Sequence, residues 1–282
     1  MNKIILGHGE IIEKSLDNKI ELTSFDKQNF IDVRILKIKI LETTDLVIEH
    51  TTTNEVKLDI YINLEPNTKC NLTEIKKEGN YKLGYKFYQA ENTELNITKV
   101  NDVNSVKELL IFNLNGENAK VNYLLKTISK LDEKYDLMVY HNFPNTESTI
   151  TNHGVNIKEG ALKFAVSGFV PKDKINCVLN QNNRIINLTN NNCEIHPNLF
   201  IDENDVIANH SAHIGKCKDD EMFYLKSRGI NEKAAESLLI KGFLMQKLPD
   251  HTEMEKIIEK YWRWKNEPWR FQNIRYWHYL LW

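Results

Sequence analysis

Cysteine is scarce in this chain of 282 residues: four, at positions 70, 177, 193 and 217, with no CxxC pair. A chain of this length can bury a core without covalent staples, so no disulfide framework is expected. An excess of charge of one sign is also missing, with 37 Lys and Arg against 39 Asp and Glu, a net of -2. That balance gives no support to wholesale nucleic-acid binding, which needs an extended basic track. No uninterrupted apolar stretch approaches the roughly 18 residues of a membrane span. The opening MNKIILGHGEII lacks the cationic segment and long apolar run of a secretory signal. The expectation is a reduced, cytoplasmic, soluble protein. Catalytic signatures are missing too: no GxxxxGK[ST] phosphate loop, no GxSxG elbow and no HExxH helix. The acidic pairs Asp132–Glu133 and Asp202–Glu203 read as solvated neighbours, not as the facing carboxylates of a polysaccharide lyase or hydrolase. No catalytic residue is expected, and 41% apolar residues suffice for a substantial core.

What the chain does have, over its first two-thirds, is period-two alternation. Ile31, Val33 and Ile35 sit two apart, and Leu36, Ile38 and Ile40 repeat the spacing one residue out of phase, which predicts a bulge or a new strand near Leu36. Val56, Leu58, Ile60, Ile62 and Leu64 continue it, and Leu95, Ile97 and Val100 do so less regularly. Turns rich in Thr, Asn, Glu and Lys separate these runs. Two all-β architectures fit: a sandwich of hairpin-joined strands, or a β-helix in which short strands stack turn upon turn. Asn71-Leu72, Asn96-Ile97, Asn156-Ile157 and Asn187-Leu188 recur loosely, but no exact repeat decides between the two.

The character changes after Pro197. Asp219, Asp220 and Glu221 suit a helix start, and Arg228-Gly229 suits its stop. Asn231 caps a second helix with an apolar stripe of Ala234, Ala235, Leu238, Leu239 and Phe243. A third begins at Pro249-Asp250 and buries Met254, Ile257, Ile258, Tyr261 and Trp262. The tail holds all five tryptophans, at 262, 264, 269, 277 and 282. They either pack on their own domain or form an interface. Arg263, Arg270 and Arg275 interleave with them, yet the rest of the chain offers no basic track for nucleic acid.

From His141 onward, consecutive motifs resemble the SufB/SufD family of iron–sulfur cluster assembly scaffolds. They run HNFPNTES at 141–148, HGV at 153–155, Phe164 with Gly168, QNNRIINL at 181–188, EIHP at 194–197, NHSAHIG at 209–215, FYLKSRGI at 223–230, and Ala235 to Phe243. Their order and spacing are more specific than any one of them. The resemblance implies an all-β core, a right-handed parallel β-helix, followed by a small C-terminal helical domain. It divides the chain into a β-helix core with a short lead-in at 1–203 and a helical domain at 204–282, the family's longer N-terminal region being shortened or absent. It implies dimerisation through the β-helix, as a homodimer or with a SufB- or SufD-type scaffold. It also implies binding of a SufC-like ABC-type ATPase through the helices, with ATP hydrolysis confined to that partner.

The resemblance also nominates site residues. His210 matches the histidine of the family's SHGAT element, where it is either an iron ligand or a histidine hydrogen-bonded at the domain junction. His213 stands where the family has threonine. It shares a face with His210 on a helix and opposes it on a strand. Cys217 is a soft-ligand candidate beside a helix N-terminus, and Cys193 is another, near Glu194 and His196, against a reading as buried core. Cys177 and Cys70 read as core. Ala208-Asn209 before the histidine and Ser211 after it depart from the SufD-type and SufB-type patterns, which argues against a complete cluster site on one subunit. The implied cofactor is a transient iron–sulfur cluster, none being held permanently. The alternative is a purely structural SufD-like partner that ligates no cluster. Phe223, Tyr224, Leu225 and Arg228 are the candidates for the ATPase contact, against a reading as local helical core.

Overall fold

Alternation of apolar and polar residues over stretches of six to eleven residues makes strands, and here successive strands fall alternately into two sheets. A computed structural model describes residues 2–27 and 33–261. The strands are β1 (Asn2–Gly7), β2 (Glu10–Ser15), β3 (Ile20–Lys27), β4 (Arg34–Ile40), β5 (Thr44–Thr51) and β6 (Glu55–Leu64). There follow β7 (Lys69–Lys77), β8 (Asn80–Gln89), β9 (Glu94–Asp102), β10 (Ser105–Leu114), β11 (Lys120–Ser129) and β12 (Glu133–His141). The last are β13 (Glu147–Asn156), β14 (Leu162–Val170), β15 (Cys177–Asn187), β16 (Glu194–Ile201) and β17 (Val206–Gly215). Three helices complete the chain: α1 (Asp219–Ser227), α2 (Glu232–Met245) and α3 (Thr252–Tyr261).

One sheet runs β17-β15-β13-β11-β9-β7-β5-β1-β2, the other β16-β14-β12-β10-β8-β6-β4-β3. Every pairing from β4 and β5 onward is parallel, whereas β1–β2 and β3–β4 are antiparallel. This is a β-solenoid of about seven turns with three helices at its C-terminus. It fulfils the β-helix expectation over the sandwich.

The two inward faces form the core. Inward rows are aliphatic near the start, as at Leu36, Ile38, Ile40, Leu46 and Ile48, each at most 1% exposed. Of the two phases around residue 36, the second is therefore the inward one. Val33 precedes the strand, and Ile31 lies outside the described residues. Strands also begin earlier than the alternation suggested, at Asn2, because His8 and Gly9 take positive φ and close the β1–β2 hairpin.

Asparagine holds the turns in register. Asn67, Asn92, Asn118, Asn145 and Asn176 all take positive φ, which asparagine tolerates better than other side-chain-bearing residues. Asn92 donates to Asn67 at 3.1 Å, Asn118 to Asn92 at 2.9 Å and Asn176 to Asn145 at 3.0 Å. A second ladder joins Asn71, Asn96 and Asn122 along an outer face. Rows of identical side chains in parallel register satisfy one another's amides in this way.

Strand pairing continues through Gly215 and helix begins at Asp219, where the sequence reading divided the chain after residue 203. Asn231 caps α2 by accepting from the Ala234 amide at 2.9 Å. Ala235, Ile240, Phe243 and Leu244 are the buried residues of α2, and Met254, Ile257 and Ile258 those of α3. They cover the outer face of the β9–β15 sheet at Val100, Ile128, Val155 and Ile186. Trp262 and the other tryptophans of the tail lie outside the described residues. Among the described residues no helix is long and apolar enough to cross a membrane.

Candidate functional site

Among the described residues no further turn stacks on the solenoid's last turn, and β17 and β16 are the end strands of their sheets. The inward row of β17 (Val206, Ala208, His210, Ala212 and Ile214) follows from its register with Cys177, Leu179, Gln181, Asn183 and Ile185 of β15. Opposite it, Ile195, Pro197, Leu199 and Ile201 of β16 continue the inward row of β14. Together they line an open mouth. His210 is exposed on β17, in register with Gln181. The row beneath runs back through Gln181, Ile150, Tyr123, Ile97 and Leu72 to Leu46.

Toward this mouth the core turns polar. Asn152, Asn183 and Gln181 are all buried, and Asn152 donates to Asn183 at 2.7 Å. The Asn183 amide nitrogen and the Gln181 and Asn152 carbonyl oxygens find no partner there. Gln181 and Asn183 lie in the QNNRIINL motif but are not among the nominated site residues, and Asn152 lies in none of the motifs, although each sits at an inward position of its strand, which is a legible signal. His141 of the HNFPNTES motif also faces inward, bonded through its two ring nitrogens to Thr146 at 2.8 Å and Ser148 at 2.9 Å. Burial holds its pKa down at about 4, so it is a neutral core histidine. In the HGV motif, a Cβ at Gly154 would lie 2.3 Å from Leu162 Cδ2, so any larger residue would have to displace that side chain from the inner wall.

The other nominated residues are dispersed. His213 lies on the outer face of β17, opposite in direction to His210, in register with Arg184. Cys193 is buried in the solenoid core, its sulfur 3.5 Å from the Asn156 amide. Cys217 is buried in the separate cluster beneath the helices. Burial, with Glu236 and Glu221 nearby, pushes its thiol up to about 11, away from the thiolate a metal prefers. Among the described residues no three His, Cys, Asp or Glu side chains converge as a metal-binding group. On α1, Phe223 is 74% and Tyr224 44% exposed, and the Arg228 guanidinium lies 5.3 Å from the Tyr224 ring centre. Leu225 points inward and is buried, so it belongs to the helix's support and not to its outer surface.

Two further polar clusters are buried. Glu74 and Glu108 meet Lys76 and Lys99 inside the solenoid, with four N–O distances between 2.7 and 3.1 Å. His50 adds a 2.7 Å contact and Tyr85 a hydrogen bond to Glu74. Burial alone would raise the Glu74 pKa, but Lys76, Lys99 and His50 hold it well below the carboxylate range. Glu133 corrects the reading of Asp132–Glu133 as a solvated pair: its side chain is buried and accepts from Thr127 at 2.6 Å and Tyr135 at 2.8 Å. Alternation along β12 turns Glu133 inward while Asp132 stays outside. A surface cleft of about 510 Å³, lined by Glu55, Lys82, Lys107 and Asp132, includes none of the nominated residues.

The architecture is that of a parallel β-solenoid with a polar-cored end and three C-terminal helices packed on one sheet. Residues 37–243 match the family described as SUF system FeS cluster assembly, SufBD core domain. The match spans most of the chain, and this protein belongs to that family. It is 32% identical over 113 residues to the iron–sulfur cluster assembly protein SufD of Bacillus subtilis, covering 40% of this chain and 26% of that protein. It is 41% identical over 71 residues to an iron–sulfur cluster assembly SufBD family protein of Pyrococcus horikoshii, covering 23% and 16%. With SufD of Escherichia coli it shares 38% identity over 64 residues, covering 20% and 15%. These alignments span about a quarter or less of each relative's length.

Proposed function

We propose that this protein is a scaffold subunit in iron–sulfur cluster assembly, working at an interface formed by the open end of its solenoid. The observation that carries the reading is the placement of His210, exposed, in the inward row of a last turn that no described residue covers. An exposed terminal turn leaves unpaired backbone and apolar side chains that a second scaffold chain, identical or related, would cover. In such a pair His210 of each chain approaches the shared mouth, where imidazole serves as a borderline ligand for iron. Neither Cys193 nor Cys217 lies in this row, so soft ligands would come from the partner chain or from sulfide itself. Phe223, Tyr224 and Arg228 present an aromatic, cationic face on α1 suited to an ABC-type ATPase. ATP hydrolysis belongs to that partner.

The test is anaerobic reconstitution with ferrous iron and sulfide, with and without such an ATPase, reading complex mass and visible and Mössbauer spectra. A cluster signal lost in His210→Ala while the dimer persists supports ligation. A cluster indifferent to the substitution, or a stable complex without one, leaves the purely structural SufD-like role. Failure to associate with any scaffold or ATPase overturns the assembly reading.

A further inference from the structure

On the outer face of the sheet four basic residues stack on adjacent strands, Lys126 on β11, His153 on β13, Arg184 on β15 and His213 on β17, the first three against α2 and His213 exposed. Adjacent strands lie about 4.8 Å apart. Lys126 is fully buried. Its Nζ donates to the Phe243 carbonyl at 3.0 Å and lies 2.7 Å from His153 Nδ1, contacts that a neutral amine can make. Phe243 is in the last turn of α2, where carbonyls have no partner within the helix. Its ring stacks on His153, with centres 4.5 Å apart at 26°, and the Arg184 guanidinium lies 5.1 Å from the ring centre. One residue of α2 is thus gripped by three basic side chains of the sheet.

No carboxylate among the described residues forms an ion pair with Lys126, His153 or Arg184. The charged groups that face Lys126 and His153 are all basic: Arg184 from β15 and Lys247 from the segment after α2. Val100 of β9 contributes an apolar wall. The docked helix therefore covers basic groups that no carboxylate among the described residues pairs with, and such burial favours their neutral forms.

We propose that Lys126 is a proton-sensitive latch between the C-terminal helices and the solenoid, closed when the Lys126–His153 pair is uncharged and loosened when it takes up protons. Burial, reinforced by Lys247, lowers Lys126 to about 7. Burial, with Lys126, Arg184 and Lys247, lowers His153 to about 2. Once undocked, both groups return toward ordinary values, so the open form binds more protons, and acidification from pH 8 favours it. Lys126 acts between its undocked value and about 7, and His153 takes over below about 6.5.

The experiment is amide hydrogen exchange by mass spectrometry on the whole chain at pH 8 and pH 6, corrected for the intrinsic pH dependence of exchange. Peptides from 232–248 are compared with those from β5 and β7 in the same molecule. The helical peptides are expected to lose about tenfold in protection through Lys126, with a further few-fold from His153, while the strands hold theirs. Lys126→Met removes the Lys126 share, and Arg184→Met retains it. If Lys126→Met does not fold, Lys126→Gln replaces it. Equal helical protection at the two pH values, or an undiminished loss in the Lys126 variants, overturns the proposal. Neither iron nor a partner protein enters the measurement, so its outcome is independent of the assembly reading.

Discussion

Gln181 and His210 are register partners on β15 and β17, so the imidazole is the outermost described member of an inward row that runs back through Leu46 to Asn2. Beneath it the row changes from aliphatic to amide, and the Gln181 carbonyl oxygen remains unpartnered. The end of the solenoid is thus polar at its centre and apolar at its rim, with Ile207 and Ile214 exposed on the last strand.

A charge placed in that mouth should separate two chains without unfolding either. Ala212→Lys puts an ammonium two residues from His210, where association would desolvate it without a partner. Sedimentation equilibrium is expected to show self- or mixed association weakened by about tenfold or more. Circular dichroism should be unchanged, because residue 212 is exposed in the single chain.

The α1 surface divides sharply between an exposed face and a buried one, and the proposed ATPase contact falls on the exposed face. Phe223→Ala should lower ATPase-partner affinity by about tenfold or more, with little change in melting temperature. Leu225→Ala should instead cost about 2 kcal/mol of stability, because Leu225 is buried. Calorimetric titration and thermal melts on the two variants separate these effects, and a Phe223→Ala variant that binds normally would remove α1 from the interface.

Glu133 makes stability depend on pH in an identifiable direction. Burial raises its carboxyl to about 7, against hydrogen bonds from Thr127 and Tyr135 that pull it down. The folded state therefore binds the proton more tightly than the unfolded state. The favourable contribution is full below the unfolded value and lost as pH rises through about 7. Glu133→Gln mimics the protonated form and should be more stable than the wild type at pH 8, by at most about 3 kcal/mol. The gap should close toward pH 5. Urea midpoints at both pH values check it.

The helices were the most legible part of the chain. Asn231, Gly229 and Asp219–Glu221 are local signals that act within one turn, and each sits where its chemistry demands. The solenoid was harder to read because its repeat drifts. Asn92 follows Asn67 by 25 residues, Asn118 follows Asn92 by 26, and Asn176 follows Asn145 by 31. A fixed-period search blurs such a ladder. The motif resemblance chose the β-helix where alternation alone left two folds open. Of the site, His210 was legible through its motif. The Glu74–Lys99 network was not, although Glu74, Lys76 and Lys99 occupy inward parity in β7 and β9. Inward charge contradicts the hydrophobic rule and makes sense only once neighbouring turns supply opposite charges across the core.

The two ends of the solenoid differ, and this limits how the protein can grow. At the far end, antiparallel β2 and β3 close the sheets, and β2 carries Glu10, Glu13 and Lys14 along its exposed length. Among the described residues, the parallel-paired end strands are β16 and β17. Copies that meet through these strands use them up, and neither is left with an equivalent described surface to recruit a third. Head-to-tail stacking of identical parallel turns would have to add to an antiparallel, charged edge at the opposite end, which disfavours fibrous polymerisation, the characteristic hazard of stacked parallel strands.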